Sequence, residues 1–507
     1  MLSGALVGLS FPKFGHPAVA WVALAPVLVA IGLEQAAQSA LKRRRGSRFF
    51  LLGWLTGFVG SAITTYWVVG VMALYGGFAP WLAVPIGALL WAYLGLFTGA
   101  AALVTGWAVW RFGVTGLWAA PPTWVAAEWL RSWLFGGFPW ALFGTSQAHV
   151  LPVVQLASVT GVYGLSCLLV VVSTAAAAVA LNRRPRHLRV AAGVAGLLAC
   201  VVGGGVLRIA DGRLTESGTP LRVGIVQGSV PIDLKFDPAY GEGIVRRYLT
   251  LSRQVIGSGA RLVVWPESST PFFFNLDAVR AQPIRQLAAE TRTPFIIGTD
   301  DTAPLSGAVP PPVYNASVVL GADGRSHGEY RKVYLAPFGE YVPFKRLLFF
   351  VGPLVDSVSD FTPGTEATVL DTGVADVGTN ICYESVYPWL SRAFVQHGSQ
   401  LLGIITNDAW FGRSSAATQH FDQGAVRAVE EGRYVVRAAN TGISGVVDPY
   451  GRVLTATPLF VPMAFVADVR LLDGRTFYGL TGDWVAWIAA AITVGLVFLG
   501  WRHGPRQ

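Results

Sequence analysis

The sequence predicts a multi-pass α-helical membrane part of about eight helices joined to an α/β layered domain. Two observations carry this expectation. Only 13% of the 507 residues are charged while 53% are hydrophobic, and long uncharged runs fill residues 1 to about 210 and 480 to 500. The stretch between them has the composition of an ordinary soluble protein, in which short β-branched runs alternate with helical stretches.

Runs long enough to cross a bilayer lie near 17–34, 49–72, 82–109, 113–131, 159–181, 190–208 and 482–501. Met1 to Phe11 is a further apolar run, short for a crossing, so the expectation is either a start codon assigned late or an incomplete first helix. The apolar runs continue for two hundred residues, so the first one reads as an anchor rather than a cleaved signal.

The net charge of +9 does not point to nucleic acid, because the basic residues gather in short turns between apolar runs. With a cytoplasmic amino terminus, Lys42 to Arg48, the turn at Arg111, Arg183 to Arg189 and the tail Arg502 to Arg506 all fall on one side. The loop Leu74 to Trp81, with no charge, falls on the other. The expected division is residues 1–212 in the membrane, 213–475 outside the cytoplasm, and 476–507 as a last helix and tail. Asp211 to Pro220 has the Gly, Ser, Thr and Pro of a linker. Only three cysteines occur, and Cys167 and Cys200 lie in apolar runs, which leaves Cys382 alone in the soluble part and excludes a disulfide framework.

Strands are expected at Leu221 to Val226, Arg261 to Trp265, Pro294 to Gly298, Ala316 to Leu320, Asp376 to Ile381, Leu401 to Thr406 and Ser444 to Val447. Three sequence runs bring reactive side chains to strand ends. In RLVVWPESSTPFF, Pro266 cannot continue a central ladder, so Glu267 follows at an edge. On its own Glu267 reads as a surface carboxylate. Its apolar and aromatic neighbours instead suggest a desolvated base with a raised pKa.

In YRKVYLAPFGEYVPF, Lys332 is one of only five lysines, at positions 13, 42, 235, 332 and 345, in a chain that otherwise uses arginine. A site that needs a compact ammonium cannot take the wider guanidinium. Glu340 lies eight residues on and alone would read as a surface group. In VGTNICYESVYP, Cys382 follows an apolar strand and precedes Tyr383 and Glu384. A lone Cys is usually a small hydrophobe, whereas one at a strand-to-turn junction with acidic and basic partners fits an activated nucleophile.

Glu267, Lys332 and Cys382 occur in that order, 65 and 50 residues apart. The soluble part resembles the carbon–nitrogen hydrolase (nitrilase) superfamily, whose Glu, Lys and Cys share this order on an αββα sandwich. Within that superfamily FGEYVP at 338–343, ICYES at 381–385, TNDAWFG at 406–412 and RAANTGISGVVDPYG at 437–451 resemble the apolipoprotein N-acyltransferase family. EWLRSWLFGGFPWALFGTSQ at 128–147 is similar to the amphipathic segment which that family carries between its membrane helices. It pairs Glu128 with Arg131 in an apolar setting. The chain departs from the family pattern at Tyr334, where His is common two residues after the lysine, and at Phe236, where Trp is common.

The resemblance implies that Glu267 takes the Cys382 proton, that the thiolate attacks a phospholipid ester, and that Lys332 and a backbone N–H near Tyr383 hold the oxyanion. Glu340 and Glu384 would orient Lys332 or shuttle a proton, and Trp410 would shape an acyl pocket. The acceptor would be the amino terminus of a diacylglyceryl apolipoprotein, and the enzyme a monomer in the bacterial inner membrane with its catalytic domain on the periplasmic side. No metal, cofactor or nucleic acid is called for, since His327, His397 and His420 lack paired ligand spacing. A Cys382–His420 pair is conceivable, but no orienting third group is visible in the sequence. The same triad also permits a membrane-tethered amidase, and a non-catalytic scaffold or transport protein with a nitrilase-like ligand domain is the alternative from another class.

Overall fold

The computed structural model describes residues 1–40, 46–74, 78–235, 237–302, 311–337, 339–341 and 361–502. Expectations on Lys42, part of Leu74 to Trp81, Phe236, Phe338, the 342–343 end of the FGEYVP run, Lys345 and the tail beyond Arg502 lie outside these residues. Two compact units result, Met1–Asp211 with Thr481–Gln507, and Gly212–Leu480.

The first unit is helical. Among the described residues four helical runs are long and apolar enough to cross a bilayer: Pro17–Ser39, Pro80–Arg131, Ala157–Leu181 and Pro185–Glu216. A fifth is added if Gly46–Thr64 and Trp67–Leu74, bent by 55°, form one span, and Trp484–Gly500 is apolar but shorter. The expected count of about eight is not reached on these criteria, for two physical reasons. The first helix, Leu2–Leu9, is eight residues, about 12 Å against a hydrocarbon core of about 30 Å. The runs at 82–109 and 113–131 count as one on these criteria, although the 33-residue helix Pro80–Phe112 and the 12-residue helix Ala120–Arg131 are separated by the 3₁₀ segment Gly113–Ala119 and lie side by side, with the Thr105 and Thr123 hydroxyls 3.0 Å apart.

Without water to drive apolar burial, helix contact in a membrane rests on close packing through small residues. Gly57, on Gly46–Thr64, shows it: a Cβ there would lie 1.9 Å from Thr98 Oγ1 on the long helix. In the 128–147 segment, Glu128 is buried and its Oε1 accepts the Phe143 N–H at 2.7 Å, which closes the aromatic loop onto its own helix.

The second unit is built on two six-stranded sheets. The first has the order β12-β1-β2-β3-β4-β5, with β1 Thr219–Gln227, β2 Leu262–Val264, β3 Phe295–Thr302, β4 Val313–Leu320, β5 Ser326–Arg331 and β12 Met463–Leu471. The second has the order β11-β10-β9-β8-β7-β6, with β6 Leu370–Asp371, β7 Asp376–Ile381, β8 Leu401–Thr406, β9 Val435–Ala439, β10 Gly445–Val447 and β11 Val453–Ala456.

In each sheet three neighbouring strands are parallel, β1-β2-β3 and β7-β8-β9, and antiparallel strands flank them. Parallel strands are covered on both faces, which explains the unbroken apolar runs LVV and LLGIIT. Helix Gly241–Gly257 buries Ile244, Tyr248, Ser252 and Val255 at helical spacing, and Tyr248 packs on Trp265 at 4.8 Å. Helices Pro388–Gln396 and Ala416–Glu431 bury their faces on the other sheet. The arrangement is an αββα sandwich.

Buried Gln227, at the end of β1, ties the sheets together: its Oε1 accepts the hydroxyls of Ser444 at 2.5 Å and Thr457 at 2.8 Å. Five strands were not expected: β5, β6, β9, β11 and β12. The first of them, SHGEYR, has no apolar run because it is the edge of its sheet. The expected linker Asp211 to Pro220 contains a helical turn, Arg213–Glu216, and the first residues of β1.

Candidate active site

Three strand ends supply the reactive groups. Glu267 follows β2 after Trp265 and Pro266, Lys332 follows β5, and Cys382 follows β7. The strand before Lys332 is polar, whereas an apolar one was expected. Lys332 is 1% exposed, and its Nζ donates to Glu267 Oε1 at 3.2 Å and to Glu340 Oε1 at 2.9 Å, with Glu340 Oε2 at 2.8 Å. Asn315 Nδ2, from β4, donates to both carboxylates, at 2.7 and 2.8 Å. The second oxygen of Glu267 accepts the Asn407 N–H at 2.7 Å, and that of Glu340 the Ala336 N–H at 2.7 Å. One ammonium is thus gripped by two carboxylates whose remaining lone pairs are satisfied, the condition under which buried charges persist.

These partners decide the protonation states. Burial alone would raise the Glu267 pKa, but Lys332, the Asn315 amide, Lys235 and the Asn407 N–H outweigh it and hold the carboxyl below its ordinary value. The raised pKa expected from its apolar neighbours is therefore corrected. Burial likewise disfavours the Lys332 ammonium, yet Glu340 and Glu267 hold its pKa above the ordinary value.

Cys382 sits in the left-handed region at φ 52°, a strained position for a residue with a Cβ and a frequent sign of function. Burial, and then the negative charge of Glu267, push its thiol well up, with Lys332 and the Thr406 hydroxyl acting the other way. The thiol is therefore protonated at neutral pH, and attack requires a base. Glu267 is the carboxylate whose charge the thiol feels most.

Glu384 does not hydrogen-bond Lys332. It accepts from Tyr330 Oη at 2.6 Å, the N–H groups of Val333 at 2.7 Å and Tyr334 at 3.1 Å, and Ile381 N–H at 2.8 Å. It thereby fixes the backbone on both sides of the site, while burial pushes its carboxyl up to about 7. Of the two expected Lys332 partners, the structure pairs Glu340 and turns Glu384 to the main chain. Tyr383 is buried edge-on to Tyr387, and Trp410 is 40% exposed on the turn Asp408–Phe411. Tyr334 stacks on Tyr387 at 4.5 Å and accepts the Trp389 Nε1–H at 2.9 Å, so the departure from His is built into an aromatic cluster.

Several residues of the site were not read from the sequence: Asn315, Asn407, Asp300, Lys235 as a site residue, and Asp408 with Arg437. Half-buried Asp300 accepts the Ser268 hydroxyl at 2.9 Å; desolvation raises its carboxyl, against the charge of Lys235. His420 does have an orienting carboxylate, contrary to expectation, since Asp408 Oδ1 lies 2.9 Å from its Nδ1. Its Nε2 meets the Cys382 main-chain carbonyl at 3.0 Å. The signal for Asn407 and Asp408 was the polar pair at the end of the apolar strand LLGIIT.

A model of the apolipoprotein N-acyltransferase N-terminal domain matches residues 3–175, and a model of carbon–nitrogen hydrolase matches residues 222–475. A protein of Geobacter metallireducens named apolipoprotein N-acyltransferase is 37% identical over 98% of this chain and 94% of its own length. One so named from Methylococcus capsulatus is 35% identical, over 98% and 95%. The chain belongs to the apolipoprotein N-acyltransferase family. This acyltransferase is also similar to the solved nitrilase-superfamily protein Nit3 of Saccharomyces cerevisiae, with 20% identity over 51% of this chain and 92% of that one at a TM-score of 0.39. The acyltransferase is a membrane protein, and its sandwich unit is of the carbon–nitrogen hydrolase type.

Proposed function

We propose that the chain transfers a fatty acyl group from a membrane phospholipid, through a thioester on Cys382, to the terminal amine of a diacylglyceryl-cysteine apolipoprotein. The observation that carries the reading is the buried Glu267–Lys332–Glu340 group whose charges act on a protonated thiol, in a member of an acyltransferase family.

In the first step Glu267 takes the Cys382 proton as sulfur attacks the ester carbonyl. The oxyanion that forms is held by Lys332 Nζ and the Tyr383 N–H. Collapse breaks the ester C–O bond, the leaving alkoxide takes the proton from Glu267, and lysophospholipid departs. In the second step the amine attacks the thioester and gives its proton to Glu267. The C–S bond breaks, an amide forms, and the thiolate is reprotonated. Glu340 holds Lys332 in place, Glu384 holds the two backbone segments, and exposed Trp410 borders the acyl group.

In this reading residues 1–212 and 476–507 lie in the bacterial cytoplasmic membrane and 213–475 form a monomeric enzyme's extracytoplasmic domain, which the alternation of basic loops supports. The test uses purified full-length protein with acyl-labelled phospholipid and a diacylated lipopeptide. Label is expected to reach the lipopeptide amine with wild type and not with Cys382→Ala. Release of free fatty acid in place of lipopeptide labelling would indicate an amidase-like hydrolase instead.

A further inference from the structure

The mechanism leaves unused a buried polar chain behind the nucleophile. Ser385 Oγ donates to the Cys382 carbonyl at 3.1 Å, and His420 Nε2 lies 3.0 Å from the same oxygen and 2.9 Å from the Ser385 hydroxyl. The far side of the ring is fixed as firmly. Nδ1 lies 2.9 Å from Asp408 Oδ1 and 3.0 Å from Arg437 Nη2, and that nitrogen also donates to Asp408 Oδ2 at 2.8 Å. Thr406 Oγ1 donates to Asp408 Oδ1 at 2.8 Å. All five side chains are buried.

His420 and Asp408 have the connectivity of a protease pair, but the ring is turned to the main chain of the cysteine. The consequence follows from the planarity of the peptide. The Cys382 C=O and the Tyr383 N–H belong to one trans unit and point in opposite directions, so a grip on the oxygen sets the direction of the N–H. That direction is not self-maintaining, because Cys382 sits at φ 52°, a left-handed conformation strained for a residue with a Cβ. A donor on the carbonyl also polarises the amide and strengthens the N–H as a donor on its other side.

We propose that His420, backed by Asp408 and Arg437 and joined by Ser385, is a positioning residue that aims the Tyr383 N–H at the developing oxyanion by holding the Cys382 carbonyl from behind. The proposal rests on the reading of Cys382 as nucleophile and of the Tyr383 N–H as the second oxyanion donor. His420 touches neither substrate nor thiol in this role. Its Nε2–H is the group used; burial and the charge of Arg437 hold the ring's pKa below the ordinary value, and the neutral Nε2–H tautomer, whose Nδ1 accepts from Arg437 Nη2, supplies it.

The experiment compares two reactions of Cys382 in the full-length protein. Acylation by phospholipid in a single turnover, followed by intact mass, passes through an oxyanion; alkylation by iodoacetamide does not. His420→Asn is expected to slow acylation about 100-fold with alkylation changed less than about threefold, the scale of a lost oxyanion donor. His420→Gln extends an amide nitrogen to the place of Nε2 and is expected to recover at least about tenfold of that loss. Should His420→Asn not fold, Ser385→Ala, which removes the other donor, is expected to slow acylation about tenfold at unchanged alkylation. Acylation at the wild-type rate in the variants, equal loss of both reactions, or equal defects for Asn and Gln would overturn the positioning role. Failure of the wild-type protein to form a thioester would instead overturn the nucleophile reading beneath it.

Discussion

At the scale of residues, the site is organised around one ammonium. Lys332 is held by Glu267 and Glu340 at distances that suit a compact head group, and Asn315 fills the remaining side. A guanidinium at 332 would have to displace one of these partners, so Lys332→Arg is expected to lose about 10²–10³-fold in turnover, nearly as much as Lys332→Ala. Near-normal turnover of the arginine variant would remove the oxyanion role.

The same pairing sets the pH window. Glu267 folded is a stronger acid than its ordinary 4.5, so its contribution to stability is present above pH 4.5 and lost as pH falls through the lower folded value. Lys332 folded lies above its ordinary 10.5, so its contribution is present below pH 10.5 and lost only above the higher folded value. The single-turnover acylation rate is accordingly expected to show no acid limb from Glu267 above pH 4.5. A limb near pH 6 that disappears in Glu267→Gln would contradict the assigned ion pair.

Glu267 and Cys382 were legible because each stands where an expected strand ends beside Pro or a turn, and Lys332 because lysine is scarce in this chain. Asn315 and the Asp408–His420–Arg437 group were not, since a polar residue inside a strand or helix shows its purpose only when long-range pairing brings its partner. Asn315 reaches the site through the β3–β4 register, which sets it opposite Asp300. The Glu267 pKa was misjudged for the same reason: its apolar sequence neighbours were visible, and its charged partners Lys332 and Lys235, far along the chain on either side, were not.

At the scale of elements, the strands seen in advance are interior ones, parallel β1, β2, β3, β7 and β8 and antiparallel β4 and β10, whose apolar runs need no partner to be recognised; interior β9 was missed because Arg437 interrupts its run. Edge strands such as β5 and β11 expose alternating or wholly polar faces and were missed. The sheets are joined by polar contacts as well as by packing. Gln227 uses both ends of its amide, donating to the carbonyls of Pro458 and Val461, each at 2.9 Å, while accepting from Ser444 and Thr457. Gln227→Leu keeps the shape but strands the Pro458 and Val461 carbonyls, while the Ser444 and Thr457 hydroxyls keep other acceptors, so a loss of about 2–6 kcal/mol is expected at about 1–3 kcal/mol for each stranded carbonyl. Chemical denaturation of the full chain with the sandwich tryptophans as reporters measures it, and an unchanged midpoint would mean that the link carries no stability.

In the helical unit, the number of crossings depends on whether a break between two apolar helices is counted as ending a span. Pro80–Phe112 and Ala120–Arg131 are joined by a 3₁₀ segment, yet the hydroxyls of Thr105 and Thr123, 18 residues apart, meet at 3.0 Å, so the chain turns back there and the two helices lie side by side.

At the scale of the whole molecule, the charge pattern and the chemistry require the same arrangement. A donor lipid and a lipid-anchored acceptor are both met at a membrane, and the alternation of basic turns supports the proposed side for each loop. A reporter fused near Ser217 is expected to read outside the cytoplasm and one near Arg186 inside; both reading the same side would end that topology. An acyltransferase must also keep water from its thioester while admitting an amine, which separates it from hydrolases that share the Glu, Lys and Cys.

The most direct measurement of the central claim is therefore the mass of the intact protein after incubation with phospholipid and no acceptor. Wild type is expected to carry one acyl group, labile to hydroxylamine, absent from Cys382→Ala and discharged when a diacylated lipopeptide is added. An adduct that persists in Cys382→Ala, or steady release of fatty acid by wild type without acceptor, would contradict the account.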